Sequence, residues 1–411
     1  KKNILQYNLD DTKYLLPILN NILKAYKGER VKVTKDEMLY RGHCVAHTAI
    51  MTCRGYPVSK LIHNFSNAVP DMTKEICEDI NGQDLPAKPF QWKKKEGRFG
   101  LQQKKLQDYF ETTPEAKIWP RTEQGKISLS LEAFQTVFGF RSPYPRDLLP
   151  AQLLRYLRFQ QSLNGFKPIA ANARRKSFFS VYGKDRRARA YLNPYGSQSS
   201  RFQPSATGFI PLKANWMRWF IQPPKGYALA GIDYGSQEYL IAALLSKDEA
   251  MIDSYRSGDP YLYFGKLAKF IPPEGTKESH KVQRDMMKQT ALGILFGMSC
   301  YGLARDFTKK LDREVSPEEA QDFIDKFHKA FPVFTRWING FYRDYCRNRH
   351  FKLKDGWVLF GDNPNERSVK NCPIQGQGAV ILRRALIKAH DKGLRPVMPL
   401  HDAMYIEYKR G

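Results

Sequence analysis

Apolar and polar positions recur along this chain with both helical and extended periods. Leucines and isoleucines at three- and four-residue spacing predict a helix over residues 12–25. The apolar run of residues 227–232 predicts a buried strand that ends at Asp233. Residues 397–408 alternate like a β-hairpin and place Asp402 near its turn. A few strands among many helices predict an α+β fold.

Two more helices have clear start signals. Prolines and a glycine at residues 272–275 break the chain before a long helix predicted over residues 277–295. The sequence Ser316-Pro317-Glu318-Glu319 is typical of a capping box with proline at the first helical position. A helix is therefore expected to begin there.

Charge is the strongest compositional signal. The 411 residues, enough for two or three domains, contain 67 Lys and Arg against 41 Asp and Glu, a net charge of +26. Such an excess favours an anionic partner, either nucleic acid or a membrane surface. The longest uncharged stretch, residues 289–304, is shorter than the ~18 residues of a spanning helix. We therefore expect no membrane span and, with six cysteines lacking paired spacing, reduced thiols in a cytoplasmic protein.

Two basic stretches contain few acidic residues. The first includes Lys93, Lys94 and Lys95, opposed only by Glu96. The second, residues 174–189, has phenylalanine and tyrosine among its arginines and lysines. Cations with interleaved aromatic rings suit a phosphate backbone with nearby bases. A solvated charged surface is the alternative for both stretches.

Two aspartates follow the predicted strands. Asp233 ends the apolar run and Asp402 lies in the hairpin. Carboxylate oxygens favour Mg²⁺, which keeps waters and substrate phosphates as its other ligands. A pair of them could hold two ions ~3.5–4 Å apart for in-line phosphoryl displacement. The alternative for either aspartate alone is an exposed strand end.

A basic stripe runs along the predicted long helix. Arg284, Lys288, Leu292 and Phe296 are spaced by four and share one face. Cations in the first half of a helix oppose its dipole, so the arrangement favours an anion such as a triphosphate beside them. A base could stack on the apolar residues that follow the cations along this helix. The alternative is an amphipathic helix with a solvated basic face.

These residues form motifs that resemble the DNA polymerase I-like, or A-family, polymerases. The motifs are Asp233-Tyr234-Gly235-Ser236-Gln237-Glu238, where the family has Asp-Tyr-Ser-Gln-Ile-Glu; Arg284-x3-Lys288-x3-Leu292-x3-Phe296; and His401-Asp402-Ala403, where the family has His-Asp-Glu. Residues 54–58, residues 196–200 and Arg367-x3-Asn371-x3-Gln375 resemble further family segments. The resemblance extends from about residue 37 onward.

The resemblance implies a right-hand polymerase fold with an antiparallel palm sheet and helical fingers and thumb. The implied divisions are the end of a 3′–5′ exonuclease-like domain over 1–30, thumb over 31–165, palm over 166–275, fingers over 276–345, and a second palm part over 346–411. The C-terminal closing segment of the palm is expected to be missing.

The resemblance also implies an activity and its residues. It implies template-directed addition of dNTPs to a primer 3′ end with two Mg²⁺ ions, Mn²⁺ being an alternative. Asp233 and Asp402 would bind the metals and perform catalysis. The implied dNTP contacts are Arg284, Lys288, Leu292, Phe296, Glu238 and Tyr261. The implied primer-template contacts are Arg201, Arg367, Asn371, Gln375 and His401, and the first basic stretch adds Lys93, Lys94 and Lys95.

Four positions depart from the family pattern. Leu292 replaces an aromatic residue, and Ala403 replaces the second carboxylate of its motif. Tyr261 stands where a phosphate-contacting histidine is common. Ser197 stands where the family has a minor-groove arginine, and Arg201 is the candidate to replace it. These departures affect expected nucleotide selectivity more than the expected reaction.

The N-terminus carries a smaller resemblance. Tyr7-x3-Asp11 resembles the third motif of a 3′–5′ proofreading exonuclease, in which the tyrosine positions water and the aspartate binds metal. The alternative is an ordinary helix start. Because no Asp-x-Glu motif precedes it, we expect no proofreading by this chain.

Two other functions stay open at this point. A single-subunit RNA polymerase of related fold would share Asp233, Lys288 and Asp402, but not a bulky acid at Glu238. A non-catalytic basic DNA-binding protein would not need both aspartates. Primer-template DNA and dNTPs are the expected partners, in a bacterial or phage-infected cell, with any processivity factor unspecified.

Overall fold

The computed structural model describes residues 33–411 except 139–147, 164, 167–176, 205–214, 312 and 362–364, together with Pro17 and Asn21. The exonuclease-like motif, Tyr7 and Asp11, lies outside the described residues. The same holds for nearly all of the helix predicted over residues 12–25.

Helices form most of the described chain, with short antiparallel strands between them. The helices are α1 (Lys35–Arg54), α2 (Leu61–Gly82), α3 (Gln103–Glu111), α4 (Leu131–Phe138), α5 (Leu149–Leu163), α6 (Gln237–Ser246), α7 (Glu249–Arg256), α8 (Pro260–Leu267), α9 (Lys281–Leu295), α10 (Cys300–Leu311), α11 (Pro317–Ala330), α12 (Pro332–Asn348) and α13 (Glu366–Asp391). The strands are β1 (Tyr56–Pro57), β2 (Phe90–Lys93), β3 (Arg98–Leu101), β4 (Arg187–Ala188), β5 (Leu192–Asn193), β6 (Gln203–Pro204), β7 (Tyr227–Asp233), β8 (His350–Lys352), β9 (Val358–Phe360), β10 (Arg395–Leu400) and β11 (Ala403–Lys409). No helix in the described ranges is long and apolar enough to cross a membrane.

A three-stranded antiparallel sheet carries the predicted aspartates. Its strand order is β10–β11–β7, which confirms the predicted hairpin and the strand before Asp233. The expectation that this strand is buried is wrong at its end, where Ile232 is 44% exposed and Asp233 is also exposed. β7 pairs on one side only, with β11, so its last residues leave the core.

Separate apolar clusters form the cores of two parts of the chain. One lies within residues 77–154 and includes Phe110, Trp119 and Phe134. Another joins α6 to α13 around Phe264 and Phe327. Each buries enough aromatic surface to stabilise its own set of helices. The expected boundaries of thumb, palm and fingers stay predictions.

Local capping explains where two helices start. α9 begins at Lys281, four residues later than predicted, because Thr276 and Ser279 form a turn in which each backbone N–H donates to the other's hydroxyl. Ser316 accepts from the Glu319 N–H at 3.1 Å, as predicted for α11. The Glu319 carboxylate bonds to Arg313 at 2.6 Å instead, so the capping box is half formed.

Candidate active site

The sheet register brings the two predicted aspartates together. Asp233 is opposite Ala403 in the β7–β11 ladder, and Asp402 precedes Ala403 in the turn. His401 makes this turn with a positive φ of 56°. The pKa of Asp233 is raised, first by partial burial and then by the adjacent charge of Asp402 and a hydrogen bond to it. Two carboxylates therefore converge at one end of β7.

The basic face of α9 is turned toward these carboxylates. The charge of Lys288 lowers the pKa of Asp233, against the larger opposing effects. Its Nζ lies 5.8 Å from the ring centroid of Tyr261, which is itself only 2% exposed. The structure therefore places Lys288 and Tyr261 with Asp233, as the motifs predicted.

Arg284 is held by two carboxylates. Its Nε donates to Asp259 Oδ2 at 2.6 Å, and its Nη1 donates to Asp285 at 3.2 Å. Its guanidinium lies 5.5 Å from the Tyr261 ring centroid. Arg284 is thus a fixed, largely neutralised cation, whereas Lys288 is exposed and free of a carboxylate ion pair among the described residues.

Glu238 has a partner that sequence reasoning did not foresee. It lies in the first turn of α6 and forms an ion pair with the guanidinium of Arg201. The backbone N–H of Arg201 donates to Ser197 Oγ at 2.8 Å. A residue expected to contact the primer-template and a residue expected to contact the dNTP therefore touch each other.

A buried ion pair supports the segment that carries Arg201. Arg383 is fully buried, donates to Asp355 Oδ2 at 2.6 Å, and also donates to the backbone oxygens of Pro194 and Ser200. Sequence reasoning missed this pair. The available signal was an arginine pair on α13, Arg383 and Arg384, flanked on both sides by apolar residues.

One row of α13 faces the end of α9. Arg367 Nε donates to Gly297 O at 3.1 Å, and Asn371 Nδ2 is 3.5 Å from Phe296 O. Gln375 Oε1 accepts from Ser199 Oγ at 3.2 Å. Arg367, Asn371 and Gln375, three of the predicted primer-template residues, therefore share one row of α13. Leu292 and Phe296 pack against the apolar cluster around Phe264.

The lysines of the first basic stretch lie elsewhere. Lys93 ends β2, and Lys94 and Lys95 follow it in the turn before β3; all three are exposed. Lys93 Nζ is 3.4 Å from Glu96. Their hairpin packs with the cluster of residues 77–154, so no described contact joins them to the aspartates.

The carboxylate pair fits a divalent cation. Two adjacent hard oxygen donors favour a cation between them, since the charge of Asp402 raises the pKa of Asp233. Ala403 supplies no third carboxylate, and within the described ranges no group of three or more His, Cys, Asp or Glu could hold a metal. Asp233 and Asp402 would be the protein ligands, with water and phosphate oxygens completing the coordination.

Comparison with known proteins identifies the family. Residues 209–411 match the sequence model of DNA polymerase family A. The DNA polymerase of Mycobacterium phage D29 is 28% identical over 235 residues, covering 55% of this chain and 37% of that protein. The DNA polymerase I of Caldicellulosiruptor bescii is 29% identical over 226 residues, covering 48% of this chain and 25% of that protein. The chain therefore spans well under half the length of these relatives.

A solved structure confirms the fold. The POL domain of Pol1 from M. smegmatis, in complex with DNA primer-template and dNTP, superposes with a TM-score of 0.66. The match covers 90% of this chain and 64% of that one at 21% identity. The expected α+β polymerase fold is thus confirmed. Its residues 209–411, just under half of the chain, match DNA polymerase family A.

Proposed function

We propose that this chain performs template-directed DNA synthesis by adding dNTPs to a primer 3′-OH. The observation that carries the proposal is the register of β7 and β11, which sets Asp402 beside Asp233. The match of residues 209–411 to DNA polymerase family A supports the same activity. The proposed partners are primer-template DNA and dNTPs, in the cytoplasm of a bacterial or phage-infected cell.

Asp233 and Asp402 would hold two Mg²⁺ ions, or Mn²⁺, at the reacting end of the primer. When bound, the metals would favour ionisation of the 3′-hydroxyl and neutralise phosphate charge. The bond formed would join the primer 3′-oxygen to the α-phosphorus, and the bond broken would release pyrophosphate. The carboxylates fix the position of this reaction at the end of β7.

Lys288 and Tyr261 would bind the incoming triphosphate. Lys288 is exposed and lies close enough to Asp233 to affect its pKa. An unpaired ammonium can form charge-assisted hydrogen bonds with phosphate oxygens. Arg284 would contribute less directly, since Asp259 and Asp285 already bind its guanidinium. Its part is then to orient Tyr261 and the start of α9.

Glu238 would restrict the sugar, and the row of α13 would bind the primer-template. Arg201 keeps the Glu238 carboxylate in a fixed position. Arg367 and Asn371 contact the residues just after α9, where a templating base would lie, and Gln375 contacts Ser199. His401, which is exposed in the turn before Asp402, would contact the primer end.

Primer extension distinguishes this proposal from its alternatives. The wild-type chain is incubated with a 5′-labelled primer-template, Mg²⁺, and either dNTPs or rNTPs. Extension by the complementary dNTP alone supports the proposal. Preference for rNTPs would support the related RNA polymerase. Binding of the primer-template without extension, under Mg²⁺ and under Mn²⁺, would support a non-catalytic DNA-binding protein.

A further inference from the structure

A second basic surface lies at the opposite end of β7 from the aspartates. β7 runs from Tyr227 to Asp233, so its ends are about 20 Å apart at ~3.3 Å per residue. Just before Tyr227, Lys225 lines a cavity of about 380 Å³ with Lys60 and Arg186. The cavity therefore lies well away from the candidate active site.

Three of the four cations that line this cavity have no acidic partner among the described residues. Lys60, Arg186 and Lys225 are all exposed. The carboxylates of the region are already engaged, because Asp185 bonds Arg189 at 2.5 Å and Glu407 bonds Arg187 at 2.5 Å. Three unneutralised cations around one cavity create a positive potential that an anion would relieve.

Two exposed tryptophans lie on a short helix next to this cavity. Trp216 and Trp219, 47% and 62% exposed, lie on the short 3-10 helix Asn215–Phe220 with the exposed Arg218 between them. This helix is tied to the cavity wall by the Ser59 N–H, which donates to Phe220 O at 2.7 Å. Gln222 Nε2, from the wall, donates to Trp219 O at 3.0 Å.

The walls between the cations are partly apolar, with Ser59, Gln222 and Asp185 as their polar residues. Pro57, Leu61, Pro223 and Pro224 line the cavity. Apolar walls beside cations suit a ligand with alternating flat rings and negative charges. Single-stranded nucleic acid has this composition, and its unpaired bases can stack on tryptophan while its phosphates bind lysine and arginine. Duplex DNA would leave the tryptophan rings without exposed base faces.

We propose that this basic–aromatic face, formed by Lys60, Arg186, Arg218, Lys225, Trp216 and Trp219, binds single-stranded DNA. Bases stack on the two tryptophans, and the backbone phosphates occupy the cavity. The site is separate from the one proposed to hold the primer terminus. It accounts for the basic stretch around Arg186, in which Arg187 and Arg189 are already bound by carboxylates of the chain.

The test measures the affinity of the full chain for fluorescein-labelled oligo(dT) of 16 nucleotides by anisotropy. An unlabelled hairpin primer-template is added at saturation, so that the active-site cleft is occupied. The double variant Trp216→Ala/Trp219→Ala should weaken oligo(dT) binding by about tenfold to a hundredfold. Trp216→Phe/Trp219→Phe should retain most of the affinity, because phenylalanine keeps a stacking face. Primer extension should stay unchanged in both variants, which reports that they fold.

A charge series provides the second readout. Replacing Lys60, Arg186 and Lys225 with alanine should lower the slope of log affinity against log salt by about 2. A matched triple replacement of the exposed Lys247, Lys329 and Lys388 should leave it unchanged. The proposal is overturned if oligo(dT) affinity is the same in wild type and both alanine variants. It is also overturned if the alanine variants keep their affinity for oligo(dT) and lose affinity only for phosphatidylserine vesicles. Asp402→Asn should keep oligo(dT) binding, so the result does not depend on the catalytic proposal.

Discussion

Arg201 and Glu238 form an ion pair in which the two side chains are 31% and 19% exposed. The pair joins the segment after Ser200 to the first turn of α6, five residues beyond Asp233. Buried Arg383 fixes that segment by donating a hydrogen bond to the Ser200 backbone oxygen. Glu238 is therefore positioned by a chain of contacts rather than by helix capping alone.

Sugar selection should depend on Glu238. Glu238→Ala should raise the ratio of ribonucleotide to deoxynucleotide incorporation by at least about tenfold, because a bulky acid no longer excludes the 2′-hydroxyl. Arg201→Ala should raise the ratio less, since the carboxylate remains but is no longer fixed. Leu292→Ala should change it least, because Leu292 packs against the apolar core. Single-nucleotide incorporation with matched rNTP and dNTP measures the ratio in all three variants. An unchanged ratio in Glu238→Ala would falsify the exclusion of the 2′-hydroxyl by Glu238.

Lys288 should matter for the use of dNTP and not for the binding of primer-template DNA. Lys288→Ala removes a charge-assisted contact worth ~1.5–3 kcal/mol, so kcat/KM for dNTP should fall about 10- to 100-fold. The dissociation constant for primer-template should stay within about twofold of wild type. Lys281→Ala, an exposed lysine at the start of the same helix, serves as the control. Loss of DNA affinity with normal dNTP use would make Lys288 a DNA-backbone contact.

The aspartate pair should destabilise the metal-free protein at neutral pH. Because the folded-state pKa of Asp233 is raised, its contribution to stability is greatest below the ordinary aspartate pKa and is lost as pH rises through the raised value. In EDTA, Asp233→Asn should therefore have a higher Tm than wild type at pH 7, and the difference should shrink as pH approaches about 4. Asp253→Asn, which removes an exposed aspartate beside Arg256, is the control. A lower Tm for Asp233→Asn at pH 7 would contradict this electrostatic account.

The first basic stretch should contribute to DNA affinity through charge alone. Replacing Lys93, Lys94 and Lys95 with alanine should reduce the salt slope of duplex binding by about 2 to 3, since each phosphate contact contributes ~0.9. Lys93 is already 3.4 Å from Glu96, so the lower value is expected. The rate of single-nucleotide incorporation at saturating DNA should not change. An unaltered salt slope would show that these lysines form a solvated surface.

Local sequence signals predicted the strands and helices of the site well. The apolar run before Asp233, the hairpin around Asp402 and the basic stripe of α9 all lie where their patterns indicated. These are short-range properties, because hydrophobic period and capping act over a few residues. The motif spacing then predicted that the two aspartates meet, which the sheet register confirms.

Long-range polar pairing could not be predicted in the same way. Nothing near Arg201 indicates that its partner is Glu238, 37 residues later, or that Arg383 pairs with Asp355 inside the core. Ion pairs have no period, and their partners are fixed only once distant segments pack together. Likewise, Ile232 is exposed because β7 lies at the edge of the sheet, and strand order is a property of topology rather than composition.

Asp233 and Asp402 are proposed to support nucleotidyl transfer together, and single-turnover incorporation measures what each contributes. With Mg²⁺ and saturating primer-template, Asp233→Asn and Asp402→Asn should each reduce the rate by about a thousandfold or more, because each removes a ligand for charge that develops in the transition state. Primer-template affinity should stay within about twofold, and Asp253→Asn should match wild type in both measurements. A wild-type rate in either Asp233→Asn or Asp402→Asn would contradict the two-aspartate assignment.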